Sequence, residues 1–307
     1  MVMRTTALIQ AALCVVLSPL MLGAQRVPPP MTGAARGAPG QPLLKDYIGF
    51  TVTAPPTELA LDPFYRKYVN AQGIPVVSSD KVPDAALLMA RDLVTFMLSD
   101  RPDLRQELIR KKWKVAIMAQ TEVTYDIPEH RKYRLLPKID DERLTPQQKA
   151  NYNNPGGVGT LTGEQYWNSR GRGFGGEPDG ENTTSGAEEN LLGYPNTPYF
   201  GQPLLMHEFS HGIMRGAIYS VDPDYRKAVE AAYASAKAKG LKSAQGYNGN
   251  NFNEYWAGGV EYYTHHNEKA RQTLLETDPQ LYELVKRVMP AHRATGNVYG
   301  AGARLPW

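Results

Sequence analysis

Apolar residues fall in short runs in the first half of the chain and recur at helical spacing in the second. "GIPVVSS" (73–79) has strand length, and "WKVAIMA" (113–119) predicts a buried strand. Between them Leu87, Ala90, Val94, Met97 and Leu98 follow Pro83, which suits a first helical position. A second short helix is predicted over 102–111, and "QTEVTYDIPEHRKY" reads as loop. Order is expected to begin near Leu43.

Residues 151–202 are rich in Gly, Asn, Pro and Tyr, which predicts ordered surface loops with weak regular structure. Helices follow. One spans 203–215, with Gly216 as its expected stop. Asp222-Pro223 is a cap followed by a first-turn proline, opening a helix that runs to Gly240. A third covers about 253–265, and a fourth starts around Glu268. Asp278-Pro279 opens the last, with Leu281, Leu284, Val285 and Val288 on one face. The tail from Ala291 has no such period. The expected class is α+β, a small mixed sheet followed by a mainly helical half. Residues 43–307 are expected to form one domain, mixed over 43–200 and helical over 201–290.

The first residues stand apart. Arg4 precedes the apolar run "ALIQAALCVVLSPLMLGA" (7–24), and the chain turns polar at Gln25. That order matches a secretory signal over 1–24. Gln10 and Pro19 make it a poor membrane span. Residues 25–42, rich in Pro, Gly and Ala, read as a flexible leader. Cys14, the single cysteine, lies inside the signal, so the mature chain would have no disulfide, thiolate metal site or cysteine nucleophile. Any metal must then be held by His, Asp and Glu. A net charge of +3 gives no ground to expect nucleic acid or stable membrane association after cleavage.

"MHEFSHGIM" (206–214) carries the chemistry. His207 and His211, at i and i+4, share a helical face and can present two imidazoles to one metal ion. Glu208 follows His207 and stands where it can take a proton from a bound water. A catalytic site needs a third ligand. His130, His265, His266 and His292 are candidates, as are downstream acids. Glu254, opening a helix in "YNGNNFNEYWAGGVEYYTHH" (247–266), is the strongest, and Glu261, seven residues on, is next. Asn251 and Glu254 also have capping-box spacing, so this glutamate has an alternative use at a helix end. Gly258 and Gly259 are costly within a helix and suggest close approach to the His207 helix.

HExxH with a downstream helix carrying "NEYWAGG" (253–259) resembles the gluzincin metallopeptidases, most closely their anthrax lethal factor-like branch. The resemblance implies a zincin-like helical half, one Zn2+ ion held by His207, His211 and Glu254, and Glu208 as general base. It also implies a secreted hydrolase with a peptide or protein substrate. By the same resemblance Tyr247, seven residues ahead of Glu254, would donate to the oxyanion. Gly258 stands where those proteins usually carry a second acid, leaving Glu188, Glu189, Glu261 or a backbone carbonyl to orient a ligand. The stretch from "RGRGFGG" through "EENLL" to the HExxH helix is similar to secreted bacterial and fungal proteins of this type. By analogy residues 190–192 would offer an extended edge to substrate, and Arg170 and Arg172 are candidates for a substrate carboxylate. Two other classes remain open: a binding protein on a retired peptidase scaffold, and a zinc amide hydrolase acting on a cell-wall polymer.

Overall fold

Strands β1 (Lys67–Ala71) and β2 (Ile74–Ser78) form an antiparallel hairpin closed at Gln72-Gly73, both of which have positive φ. The fold is that of a computed structural model, which describes residues 47–292 apart from 142–143, 179–180 and 265–267. The signal and leader (1–42), Cys14, His265, His266 and the tail from 293 lie outside the described residues. The described residues fall within one unit that begins at Leu43.

From β2 the chain enters α1 (Asp84–Met97) and α2 (Pro102–Arg110), then returns as β3 (Lys114–Met118), parallel to β2. Leu87, Ala90, Leu93, Val94 and Met97 form the buried face of α1. After a stretch containing α3 (Pro146–Ala150) and α4 (Gly163–Arg170), β4 (Thr183–Ala187) pairs parallel to β3. The sheet order is β1-β2-β3-β4, a mixed sheet. Short α5 (Glu188–Leu191) leads to α6 (Leu204–Ile213). The helical half continues through α7 (Tyr219–Val221), α8 (Pro223–Ala238), α9 (Phe252–Thr264), α10 (Glu268–Thr277) and α11 (Pro279–Lys286). The class is α+β. Among the described residues, no helix is long and apolar enough to cross a membrane.

Three expectations are corrected. Residues 151–202 are not simply loops, since they hold α4, β4 and α5. β4 reads "TTSGA", with no apolar alternation, yet every residue in it is buried. Its polarity is absorbed locally. Thr184 Oγ1 accepts from the Trp113 indole at 3.0 Å and donates to the Gly175 carbonyl at 3.0 Å, while Ser185 Oγ bonds His130 Nε2 at 3.1 Å. Small residues are needed there because α6 lies directly on the strand, and a Cβ on Gly186 would come within 3.0 Å of Leu205. Second, Gly216 does not stop the helix that carries His207 and His211, which continues as a π-helical turn over Met214–Ile218. A Cβ at 216 would approach the Trp113 ring to 2.8 Å and Leu108 to 2.6 Å, so this glycine admits the indole. Third, 190–192 is not an extended edge, because residues to Leu191 are helical.

Candidate metal centre

Helix α6 runs between β4 on one side and α9 on the other, with Leu205, Met206, Phe209 and Ile213 buried. Burial of Phe209 and Ile213 contributes about 1.5–3 kcal/mol each. That is enough to hold two imidazoles in the interior, where one unsatisfied nitrogen costs about 1–3 kcal/mol. Asn190 fixes where the helix begins. Its Oδ1 accepts from the Leu204 N–H at 3.2 Å, and its Nδ2 donates to the carbonyls of Tyr199 and Gln202. The residue expected to face substrate therefore shapes the helix start instead.

His207 and His211 turn their Nε2 atoms toward one another at 3.2 Å. Glu254 Oε2 lies 2.9 Å from His207 Nε2 and 3.5 Å from His211 Nε2. These three residues could hold a metal ion, and among the described residues they are the only group of three or more potential ligands that converges in this way. The capping alternative for Glu254 is half realised. Asn251 Oδ1 accepts from the Glu254 N–H at 3.1 Å, but the Glu254 carboxylate turns to the imidazoles and not back to the helix end.

Glu261 occupies the far side of His207, with Oε1 2.6 Å from Nδ1. It is not a third ligand; it holds the ring. With Nδ1–H donated to this carboxylate, Nε2 is the atom of His207 that faces the Glu254 oxygen and the His211 Nε2. Acceptors brought this close repel one another unless a proton or a cation lies between them. A proton on His207 meets that requirement, and so would a metal ion held by the three residues.

The titration behaviour of the metal-free centre follows the same geometry. Burial works against a charged His207, but its bonds to Glu254 and Glu261 outweigh this and hold its pKa well above the usual range. Burial likewise acts to raise Glu254, yet the charge of His211 and the bonds to both imidazoles hold its carboxyl well below the usual range. His211 is pushed down to about 4 by burial, although Glu254 opposes the shift. Burial pushes Glu208 up to about 7, with His207 and Arg215 opposing and Glu254 and Glu261 adding.

Glu208 is half-buried on the border of an extended segment, 173–175. Phe174 exchanges both backbone hydrogen bonds with Ser185 of β4, at 3.1 and 2.8 Å, so part of the outer edge of that strand is already covered. A Cβ on Gly173 would approach Glu208 Cγ to 2.8 Å, and one on Gly175 would meet His211. The glycines of "RGRGFGG" let backbone lie against the reactive face of α6, which composition alone does not reveal. Tyr247 is 59% exposed, its ring centroid 6.2 Å from that of His207.

The other candidates lie elsewhere. His130 is buried beside Ser185, and His292 is exposed next to Asp100. His265 and His266 lie outside the described residues, as does the side chain of Arg170. Arg172 is not available to a substrate carboxylate. It is buried, gripped by both oxygens of Glu189 at 2.6 and 3.0 Å, and it donates to the carbonyls of Ala119 and Glu122. Glu189 is thereby committed to Arg172, and Glu261 takes the orienting role for which Glu188 and Glu189 were also candidates. Gly258 and Gly259 do not admit the His207 helix. A Cβ at 259 would meet Leu281 of α11 at 2.7 Å, and one at 258 would overlap the Asn248 carboxamide. No protein-family model matches the chain, and neither does any curated protein or solved structure.

Proposed function

We propose that the chain is a secreted zinc-dependent metallopeptidase that hydrolyses peptide bonds. The observation that carries this reading is the meeting of His207, His211 and Glu254 with Glu208 alongside. Four-coordinate zinc with bonds of about 2.0–2.1 Å sets its ligand atoms about 3.3 Å apart. The three separations here are 2.9, 3.2 and 3.5 Å. Two imidazoles and one carboxylate also match the ligand sets of catalytic zinc, which leave a position open.

Zinc in this position supplies Lewis acidity and lowers the pKa of a bound water to about 7. The remaining work falls to side chains. Glu208 accepts a proton from the attacking water and delivers it to the leaving amine. Tyr247 donates to the carbonyl oxygen of the substrate as that oxygen gains charge. Glu261 keeps His207 in the tautomer that offers Nε2. A missing acid at Gly258 would favour a retired scaffold, but Glu261 supplies a carboxylate to His207 about one turn further along α9. An extended substrate passing Glu208 would run along the 173–175 backbone. The apolar run 7–24 supports secretion.

The test is hydrolysis of peptide libraries and casein by purified mature protein, with peptidoglycan fragments alongside. Glu208→Gln should keep its zinc and lose about 10²- to 10⁴-fold in turnover. Equal turnover by the variant refutes the general base, and a zinc-loaded parent that cuts no peptide refutes the peptidase.

A further inference from the structure

We infer that Asn248 is a positioning residue, whose carboxamide fills the side-chain space left open by Gly258 on α9 and so seats the Tyr247 turn beside the metal ligands. The inference rests on the peptidase reading, in which the Tyr247 phenol acts on the substrate carbonyl.

Residues 254, 258 and 261 stand at i, i+4 and i+7, and so share one face of α9. Glu254 and Glu261 each take one ring nitrogen of His207. Gly258, between them, contributes no side chain. A Cβ there would overlap the Asn248 carboxamide, coming within 2.7 Å of its Cγ. Any larger residue at 258 would therefore displace the Asn248 carboxamide from its present place. Glycine is unfavourable in a helix interior, and the insertion gives a physical reason for it here.

The two neighbours in the turn behave oppositely. Tyr247 and Asn248 belong to a single 3-10 turn, Gly246–Gly249. Asn248 is buried against α9, while Tyr247 is largely exposed and faces His207. Tyr247 is the residue next to Asn248 in this turn, so a shift of the backbone at 248 carries the phenol with it. That backbone is held at Asn248 and at Gly249, whose carbonyl accepts from the Tyr233 hydroxyl at 2.6 Å. Of these anchors, Asn248 is the one that ties the turn to the helix bearing Glu254. Relocating the orienting acid from 258 to 261 leaves this space for it.

Asn248→Ala removes the anchor without creating a clash. Its kcat is expected to fall about 10- to 100-fold, with KM changed by less than about twofold, because a displacement of about 1 Å reaches that range. Gly258→Ala, which expels the carboxamide, is expected to give the same pattern. In a Tyr247→Phe background neither substitution should reduce kcat further, since the route to the chemistry is already gone. A readout independent of turnover is the fluorine resonance of fluorotyrosine incorporated at position 247, recorded before and after addition of zinc alone. The resonance should move on zinc addition in the parent and move much less in Asn248→Ala, with zinc stoichiometry and Tm preserved. A variant that keeps the parent's kcat and zinc-induced shift overturns the inference, and so do additive losses with Tyr247→Phe. A parent that shows the zinc-induced shift but hydrolyses no peptide defeats the peptidase reading and leaves the seating of the turn standing.

Discussion

Zinc uptake at pH 7 should expel protons from this site, in a number set by the two perturbed groups around His207. In the metal-free protein His207 is held protonated between Glu254 and Glu261, well above its usual pKa. Its Nε2 can bind a cation only after losing that proton, which contributes about one proton per zinc. Glu208, pushed up to about 7 by burial, is half-protonated at that pH. A dication beside it favours the carboxylate and displaces about half a proton more. His211, pushed down to about 4, and Glu254, held well below its usual range, are already in their binding forms and add nothing. His207 and Glu208 together contribute about 1.5 protons at pH 7, and a zinc-bound water with its pKa lowered to about 7 adds about half a proton more, for a total of about two. The share of Glu208 should vanish near pH 9, where it is already ionised, and approach one proton near pH 5, where it is fully protonated. Affinity for zinc must accordingly rise with pH over this range. Glu208→Gln should release fewer protons than the parent, by about half a proton at pH 7 and about one near pH 5. Calorimetric titration in buffers of different ionisation enthalpy reads the number as the slope of observed heat against buffer heat. In Glu208→Gln, a slope at pH 7 of about 0.5 or less, the share of the bound water alone, would refute the ligand assignment of His207. A slope that Glu208→Gln leaves unchanged would refute the placement of Glu208 beside the ion.

Two further substitutions separate orienting from scaffolding roles. Glu261→Gln should weaken zinc binding by about 10- to 100-fold, measured by competition with a chelating dye, because the His207 ring loses the carboxylate at its Nδ1. Unchanged affinity would show that the bond does not orient the ligand. Arg172→Ala strands the Glu189 carboxylate in the interior and should destabilise the fold by about 3–5 kcal/mol in urea unfolding. The surviving folded fraction should keep the parent's KM, and a raised KM with intact stability would restore Arg172 as a substrate contact.

The sequence carried local information in full where the determinant was local. Pro83, Pro102, Asp222-Pro223 and Asp278-Pro279 mark helix starts because a proline near the first turn needs no amide partner, and those helices begin there. The His207–His211 pairing also follows from period alone, since one turn of helix brings i and i+4 to the same side. Glu254 was recognisable as a ligand candidate, but its spacing from Asn251 served a cap equally well. Only the packing of α9 against α6 sends the carboxylate to the imidazoles.

What tertiary structure alone decided concerns groups far apart in sequence with no periodic signature. β4 is a strand because it pairs with β3 while Trp113, His130 and Gly175 satisfy the Thr184 and Ser185 hydroxyls, not because "TTSGA" favours one. Gly216 carries the helix on where a glycine usually ends one, because the Trp113 ring needs the space of a side chain. Glu261 acquires its place by meeting His207, 54 positions away on α6, and Asn248 by a glycine on α9 that makes room for it. Residue identity and spacing state which groups a helix can present. Which of them meet depends on excluded volume between elements, and that quantity exists only once the chain has packed.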